Sequence, residues 1–177
     1  MKNQTLGCFK IRPVIKHGKP YIKQDALRKV FSEMFPNAKI IIKDEHYLAI
    51  QRQWFDNTFV PYTYNRYHIK SEVRGCVGYS VAAVKMMLKK QKSKTNYAIG
   101  MIGYIHDRHV GTLIGHCANL VILYDRINGY CYFKLHEPQW QDYDYLTSTE
   151  MLQVDEVYFG PPDKIKHRFY TTIVVEE

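Results

Sequence analysis

Gly115-His116-Cys117-Ala118-Asn119-Leu120-Val121-Ile122-Leu123-Tyr124-Asp125-Arg126-Ile127-Asn128-Gly129-Tyr130-Cys131-Tyr132-Phe133-Lys134-Leu135-His136-Glu137 is the run whose reading decides the fold. Thr112 to Tyr124 and Tyr130 to Leu135 are rich in apolar and aromatic residues, and between them Asn128-Gly129 supplies the strongest short signal for a β-hairpin. Two antiparallel strands are expected, and their register decides what they carry. If the loop has an even length, residues of opposite parity share a face, so Glu137 falls on the face of His116 and Asn119 on the other. A two-residue Asn-Gly loop sets Glu137 four positions away from His116, out of reach. A four-residue loop over Arg126 to Gly129 brings it within a diagonal step.

Upstream stands Arg74-Gly75-Cys76-Val77-Gly78-Tyr79-Ser80. From Val77 the apolar residues Val77, Val81, Val84 and Leu88 fall at helical spacing, and Lys89, Lys90 and Lys92 close the run. The spacing predicts a helix of roughly 12 to 15 residues with Cys76 in its first turn. There the unpaired N–H groups and the positive end of the helix dipole favour a thiolate, and the backbone N–H of the cysteine can face a developing oxyanion. A small buried cysteine is also a common inert packing residue. The order cysteine, histidine, carboxylate is what separates the two readings. Thiol hydrolysis needs a sulfur to attack, an imidazole to hold and return its proton, and a third group to orient the ring.

Working outward, Phe9 to Ile15 reads as a strand and Lys16 to Pro20 as a turn. Gln24 to Phe35 reads as an amphipathic helix through Leu27, Val30, Phe31 and Met34, stopped by Pro36. Lys39 to Lys43 is a short strand. Asp44 to Arg66 is aromatic and irregular, a source of core packing and of a cleft wall. Tyr97 to Ile105 is a strand interrupted by Gly100 and Gly103. Thr147 or Ser148 with Glu150 starts a short helix, and Val154 to Phe159 and Tyr170 to Val175 read as closing strands. His106-Asp107-Arg108-His109 reads as a solvated turn and Asp142 with Asp144 are too few ligands for calcium, so neither a metal nor a cofactor is expected. Cys117 and Cys131 sit inside apolar strand patterns and read as packing residues.

The 177 residues, 46% hydrophobic and 24% charged, fit one domain spanning 1–177, with basic N-terminal elements over 1–43, a core over 44–140 and a closing segment over 141–177. Its four cysteines form no CxxC pair and no secretory leader is apparent, so a reducing, cytoplasmic setting is the expectation. No apolar run reaches the roughly 18 to 20 residues of a spanning helix, and no membrane partner is expected. The net charge is +8. Lys2, Lys10, Arg12, Lys16, Lys19, Lys23, Arg28, Lys29, Lys39 and Lys43 face only Asp25 and Glu33 in the first 43 residues, which suits either a solvated basic face or an acidic partner.

Cys76-Val77-Gly78-Tyr79-Ser80, Gly115-His116-Cys117-Ala118-Asn119 and Glu137-Pro138-Gln139 together resemble the C-x-x-[FY]-[AS], GHAxN and EPQ blocks of a papain-like family that includes the protease domain of a mushroom agglutinin and small bacteriophage proteins. The resemblance covers roughly Asp44 to Trp140. It implies an α+β, papain-like fold in which the helix bearing the nucleophile packs on an antiparallel β-sheet. It also implies Cys76 as nucleophile, His116 as base and Glu137 as orienting carboxylate. The chain departs from that family at Val77 and Gly78, where the phage members often carry acidic residues, and at Cys117, where Ala is usual. A broader resemblance links the Cys and the Gly-His entering a strand to wall-cleaving CHAP and NlpC/P60 enzymes.

Three readings follow. The first is a cysteine hydrolase or acyl transferase acting on amide bonds of a protein or peptide-like substrate, encoded by a phage if the family resemblance extends that far, and acting in the host cytoplasm. Asn65 and Gln53 are its candidate oxyanion donors, with Gln139 and Asn119 as further orienting candidates. The second is a binding or inhibitory protein on a papain-like scaffold that has lost catalysis. The third is a cell-wall amidase, for which the basic surface suits an anionic wall.

Overall fold

A computed structural model describes residues 3–67, 75–90, 98–106, 114–137 and 145–164. In chain order the first half forms β1 (Asn3–Thr5), a single 3-10 turn, β2 (Lys10–Ile11), β3 (Val14–Lys16), β4 (Lys19–Lys23), α1 (Gln24–Met34), β5 (Lys39–Ile42), β6 (His46–Leu48) and β7 (Ile50–Gln51). There follow α2 (Arg52–Trp54), a π-helical turn (Phe55–Phe59), α3 (Val60–Tyr67), α4 (Gly75–Lys90), β8 (Ile99–His106), β9 (Ile114–Asp125), β10 (Tyr130–His136), β11 (Tyr145–Thr147), α5 (Ser148–Leu152) and β12 (Glu156–Phe159).

The fold is mixed α+β, built on one seven-stranded, mostly antiparallel sheet in the order β2-β10-β9-β8-β12-β5. The parallel pairs are β12 with β5 and β7 with β9. β7 takes up the edge of β9 where β8 ends: Ile99 pairs Val121, and Ile50 then pairs Leu123. Strands from both flanks of the expected 44–140 core, β2, β5 and β12, belong to this sheet. Val14–Lys16, Lys19–Lys23 and His46–Leu48 form a separate three-stranded sheet.

Side-chain alternation divides the interior in two. On one face Val77, Val81, Val84 and Met87 of α4 meet Ile99, Met101, Cys117, Val121, Leu123 and Tyr158. On the other, Leu27, Phe31 and Met34 of α1 meet Ile102, Ala118, Leu120, Ile122, Phe133, Leu135 and Phe159. Each fully buried aliphatic or aromatic side chain contributes about 1.5–3 kcal/mol, so the sheet is held from both sides. Phe31 anchors the second cluster with ring centroids 5.5 Å from Phe133 and 5.2 Å from Phe159. At Gly100 the strands crowd: a Cβ there would overlap the Tyr158 carbonyl and the Phe159 ring. The α5 helix starts as its sequence suggests, with Thr147 Oγ1 accepting from the Glu150 N–H at 3.0 Å.

Two expectations are corrected. Phe9 to Ile15 is not one strand: it holds β2 and the start of β3, which belong to different sheets. Asp44 to Arg66 is ordered: it forms β6 and β7 and then helical structure from Arg52 to Tyr67. Phe55, Phe59 and Thr63 are buried at four-residue spacing, and Phe55 stacks on Phe59 at 5.6 Å. Asn, Asp, Thr and aromatic residues have weak helix propensity and masked this period. Pro61 has no N–H to give the preceding turn and its ring crowds the carbonyl four residues back, which the widened π turn accommodates. The strand expected over Tyr170 to Val175, His109, Asp142 and Asp144 lie outside the described residues.

Candidate active site

Cys76 is the second residue of α4, after Gly75, whose φ of 70° is a left-handed conformation that glycine adopts without strain. The helix has 16 residues, packs its apolar stripe on β8 and β9, and ends in Lys89 and Lys90, which complement the negative end of its dipole. Its first turn therefore lies beside the start of β9, where His116 enters the sheet.

The β9–β10 turn has the longer form. Asp125 pairs Tyr130, leaving a four-residue loop, and the ladder runs to His136 opposite Asn119. Asp125 fixes the loop through Oδ1, which accepts from the N–H groups of Ile127 and Asn128, and Oδ2, which accepts from the Asn128 amide at 2.7 Å. Glu137, one residue past the ladder, is thus one diagonal step from His116. The His116 Nε2–H donates to both carboxylate oxygens, at 2.8 Å and 3.0 Å. A carboxylate only accepts, so Nε2 carries the hydrogen and Nδ1 is left for the cysteine. Cys76 and His116 lie close enough for each to shift the other's pKa.

Glu137 is held on three sides and is 1% exposed. Tyr104, the β8 partner of His116, donates its phenol to Oε1 at 3.2 Å and stands edge-on to the imidazole with centroids 5.5 Å apart. From α3, the Tyr64 hydroxyl donates to the Glu137 carbonyl at 3.3 Å. No sequence signal singled out Tyr104. The parity rule that found Glu137 would have found it, given the β8–β9 register.

Burial pushes the Cys76 thiol up, but the hydrogen bond and charge of His116, with the backbone N–H groups of Cys117 and Val77, bring it below its ordinary value. Burial likewise favours neutral His116, and the bonds to Cys76 and Glu137 reverse this, raising it to about 9. Both shifts favour the thiolate–imidazolium form. Cys117 is buried and its thiol is pushed well up by burial and by the neighbouring Cys76. That is the character of a packing residue, as is the burial of Cys131.

Two of the orienting candidates lie elsewhere. Asn119 is fully buried and its amide donates to the carbonyls of Ser80 at 3.0 Å and Gly100 at 3.1 Å, so it clips α4 to the sheet and does not face the thiol. Gln53 is exposed and lines a groove of about 1120 Å³ against Tyr124 to Asn128, at the hairpin end of β9. Tyr124 is eight residues along the strand from His116, about 26 Å at roughly 3.3 Å per residue, too far for an oxyanion donor. His136 points to the opposite face, packed on Phe55 and Phe59 with Nε2 3.5 Å from Thr63 Oγ1, and cannot stand in for Glu137. The Asn65 side chain and Gln139 are outside the described residues.

No family model, curated protein or solved structure matches this chain. Among the described residues, no helix is long and apolar enough to cross a membrane.

Proposed function

We propose that the chain is a cysteine-dependent hydrolase or acyl transferase acting on amide or peptide bonds, built on a papain-like plan. One observation carries this reading: a half-buried thiol in a helix's first turn lies within electrostatic reach of a histidine whose Nε2 is held by a buried carboxylate. In the proposed reaction the Cys76 thiolate attacks the amide carbonyl carbon. The oxyanion forms beside the backbone N–H of Cys76, at the positive end of α4. His116 gives its Nδ1 proton to the leaving amine as the C–N bond breaks, leaving a thioester on Cys76. It then takes a proton from water, or from an acceptor amine, as that nucleophile attacks the thioester and restores the thiolate. Glu137 holds the ring and stabilises the imidazolium throughout.

The test is turnover of a mixed peptide library followed by mass spectrometry, comparing wild type, Cys76→Ala and Glu137→Gln at equal folded fraction. New termini or transfer products are expected from wild type, none above background from Cys76→Ala, and a reduced yield from Glu137→Gln, since the carboxylate orients but forms no covalent bond. If Cys76→Ala kept the wild-type rate while Glu137→Gln lost it, a carboxylate mechanism would replace the thiol one. A wild-type protein inert towards every amide offered would favour the binding scaffold.

A further inference from the structure

The small sheet β3-β4-β6 has two unlike faces. Its register pairs Val14 with Tyr21 and Lys16 with Lys19, then Tyr21 with Leu48 and Lys23 with His46. Directly paired residues share a face, so Val14, Lys16, Lys19, Tyr21, Lys23, His46 and Leu48 lie together. Pro20, Ile22 and Tyr47, on the other side, are buried. On the first side Val14, Lys16, Lys19, Lys23 and His46 are exposed, and Tyr21 and Leu48 are half-buried. No carboxylate occupies a strand position of this face; the nearest in sequence, Asp25, Asp44 and Glu45, lie beyond the strand ends.

We propose that this face binds single-stranded nucleic acid, with Lys16, Lys19 and Lys23 against successive phosphates and Tyr21 and His46 as platforms for bases. The arrangement has both components such a surface needs. Lys19, Tyr21 and Lys23 alternate along β4 on one side of the strand, which sets a ring between two cations. His46, opposite Lys23, adds a second ring one diagonal step from Tyr21. Sheet surfaces that pair lysines with exposed rings recognise unstacked bases, which duplexes do not offer. An acidic polypeptide would use the lysines but leave the rings idle, so the rings favour the nucleic acid. The site lies on a different sheet from the one on which α4, the helix of Cys76, packs, and does not depend on thiol chemistry.

The experiment is fluorescence anisotropy of a labelled 15-nucleotide oligo-dT with the full chain, titrated between 50 and 200 mM salt. Wild type and Cys76→Ala should bind alike. Lys16→Gln/Lys19→Gln/Lys23→Gln should weaken binding at least tenfold and reduce the slope of log K against log salt by about 2, since each single-strand phosphate contact contributes about 0.7. Tyr21→Leu, which keeps the apolar body of the residue, should weaken binding severalfold at an unchanged salt slope. The substituted lysines are exposed, and near-ultraviolet circular dichroism verifies the folding of each variant. Absence of binding at 50 mM salt, equal binding by the triple variant, or a Tyr21→Leu protein that binds like wild type overturns the proposal. So does equally effective competition by polyglutamate of matched charge, which would assign the face to acidic protein.

Discussion

Tyr104 joins two members of the candidate triad that do not adjoin in sequence: its hydroxyl donates to Glu137 Oε1 at 3.2 Å while its ring stands at 86° to the His116 imidazole. A hydrogen bond to a charged group is worth about 1.5–3 kcal/mol, and this one fixes the carboxylate that fixes the histidine. Tyr104→Phe keeps the ring and removes only the hydroxyl. Its expected effect is a three- to thirtyfold lower kcat with an altered His116 titration by NMR, in a protein that still folds. A variant with the wild-type titration and rate would remove Tyr104 from the site.

Asn119 is expected to matter for stability and not selectively for chemistry. Asn119→Ala removes the two buried bonds that its amide donates to the Ser80 and Gly100 carbonyls. At about 0.5–1.5 kcal/mol for each hydrogen bond lost, denaturant midpoints should fall clearly while activity per folded molecule stays within a few-fold. An Asn119→Ala protein of wild-type stability with a hundredfold lower kcat would instead make Asn119 an oxyanion donor.

The pH dependence follows from the coupled shifts. His116 holds its proton to about 9, against an ordinary 6.5. Because the folded value is the higher, protonated His116 contributes stability in full below about 6.5, and that contribution is lost as pH rises through about 9. Cys76 is depressed, so its thiolate contributes stability above the unfolded thiol value and loses it as pH falls through the folded one. Hydrolysis should therefore decline above about pH 9, where His116 has no proton for the leaving amine, while alkylation of Cys76 should not. In Cys76→Ser the His116 titration should move down, since its bond to the thiolate is gone. An unmoved titration would mean that the two side chains do not interact.

Local signals in the sequence carried much of this arrangement. The period of Val77, Val81 and Val84 placed α4, the Asn128-Gly129 turn placed the hairpin, and parity placed Glu137 on the face of His116, because each rests on residues close in the chain. Long-range pairing was not legible. Nothing local announces that β8 lies beside β9 and brings Tyr104 to His116, or that β12 and β5 extend the sheet. Asn119 shows the limit of a motif: its position in the block could be read, but the Ser80 and Gly100 carbonyls that claim its amide come from α4 and β8. Gln53 fell to the same limit, since only the β7–β9 pairing puts it at the far end of the strand.

Competitive alkylation tests the central claim most directly, because Cys8 is exposed and Cys76 only half-buried, so accessibility alone orders them the wrong way. Limiting iodoacetamide at pH 6 and peptide mapping would give the relative rates of Cys8, Cys76, Cys117 and Cys131. An ordinary thiol, near pKa 8.5, is less than about 1% thiolate at that pH, so an ion-paired Cys76 should react at least tenfold faster than Cys8, an advantage that His116→Ala abolishes. A Cys76 that labels no faster than Cys8, or whose rate is indifferent to His116, would contradict the account.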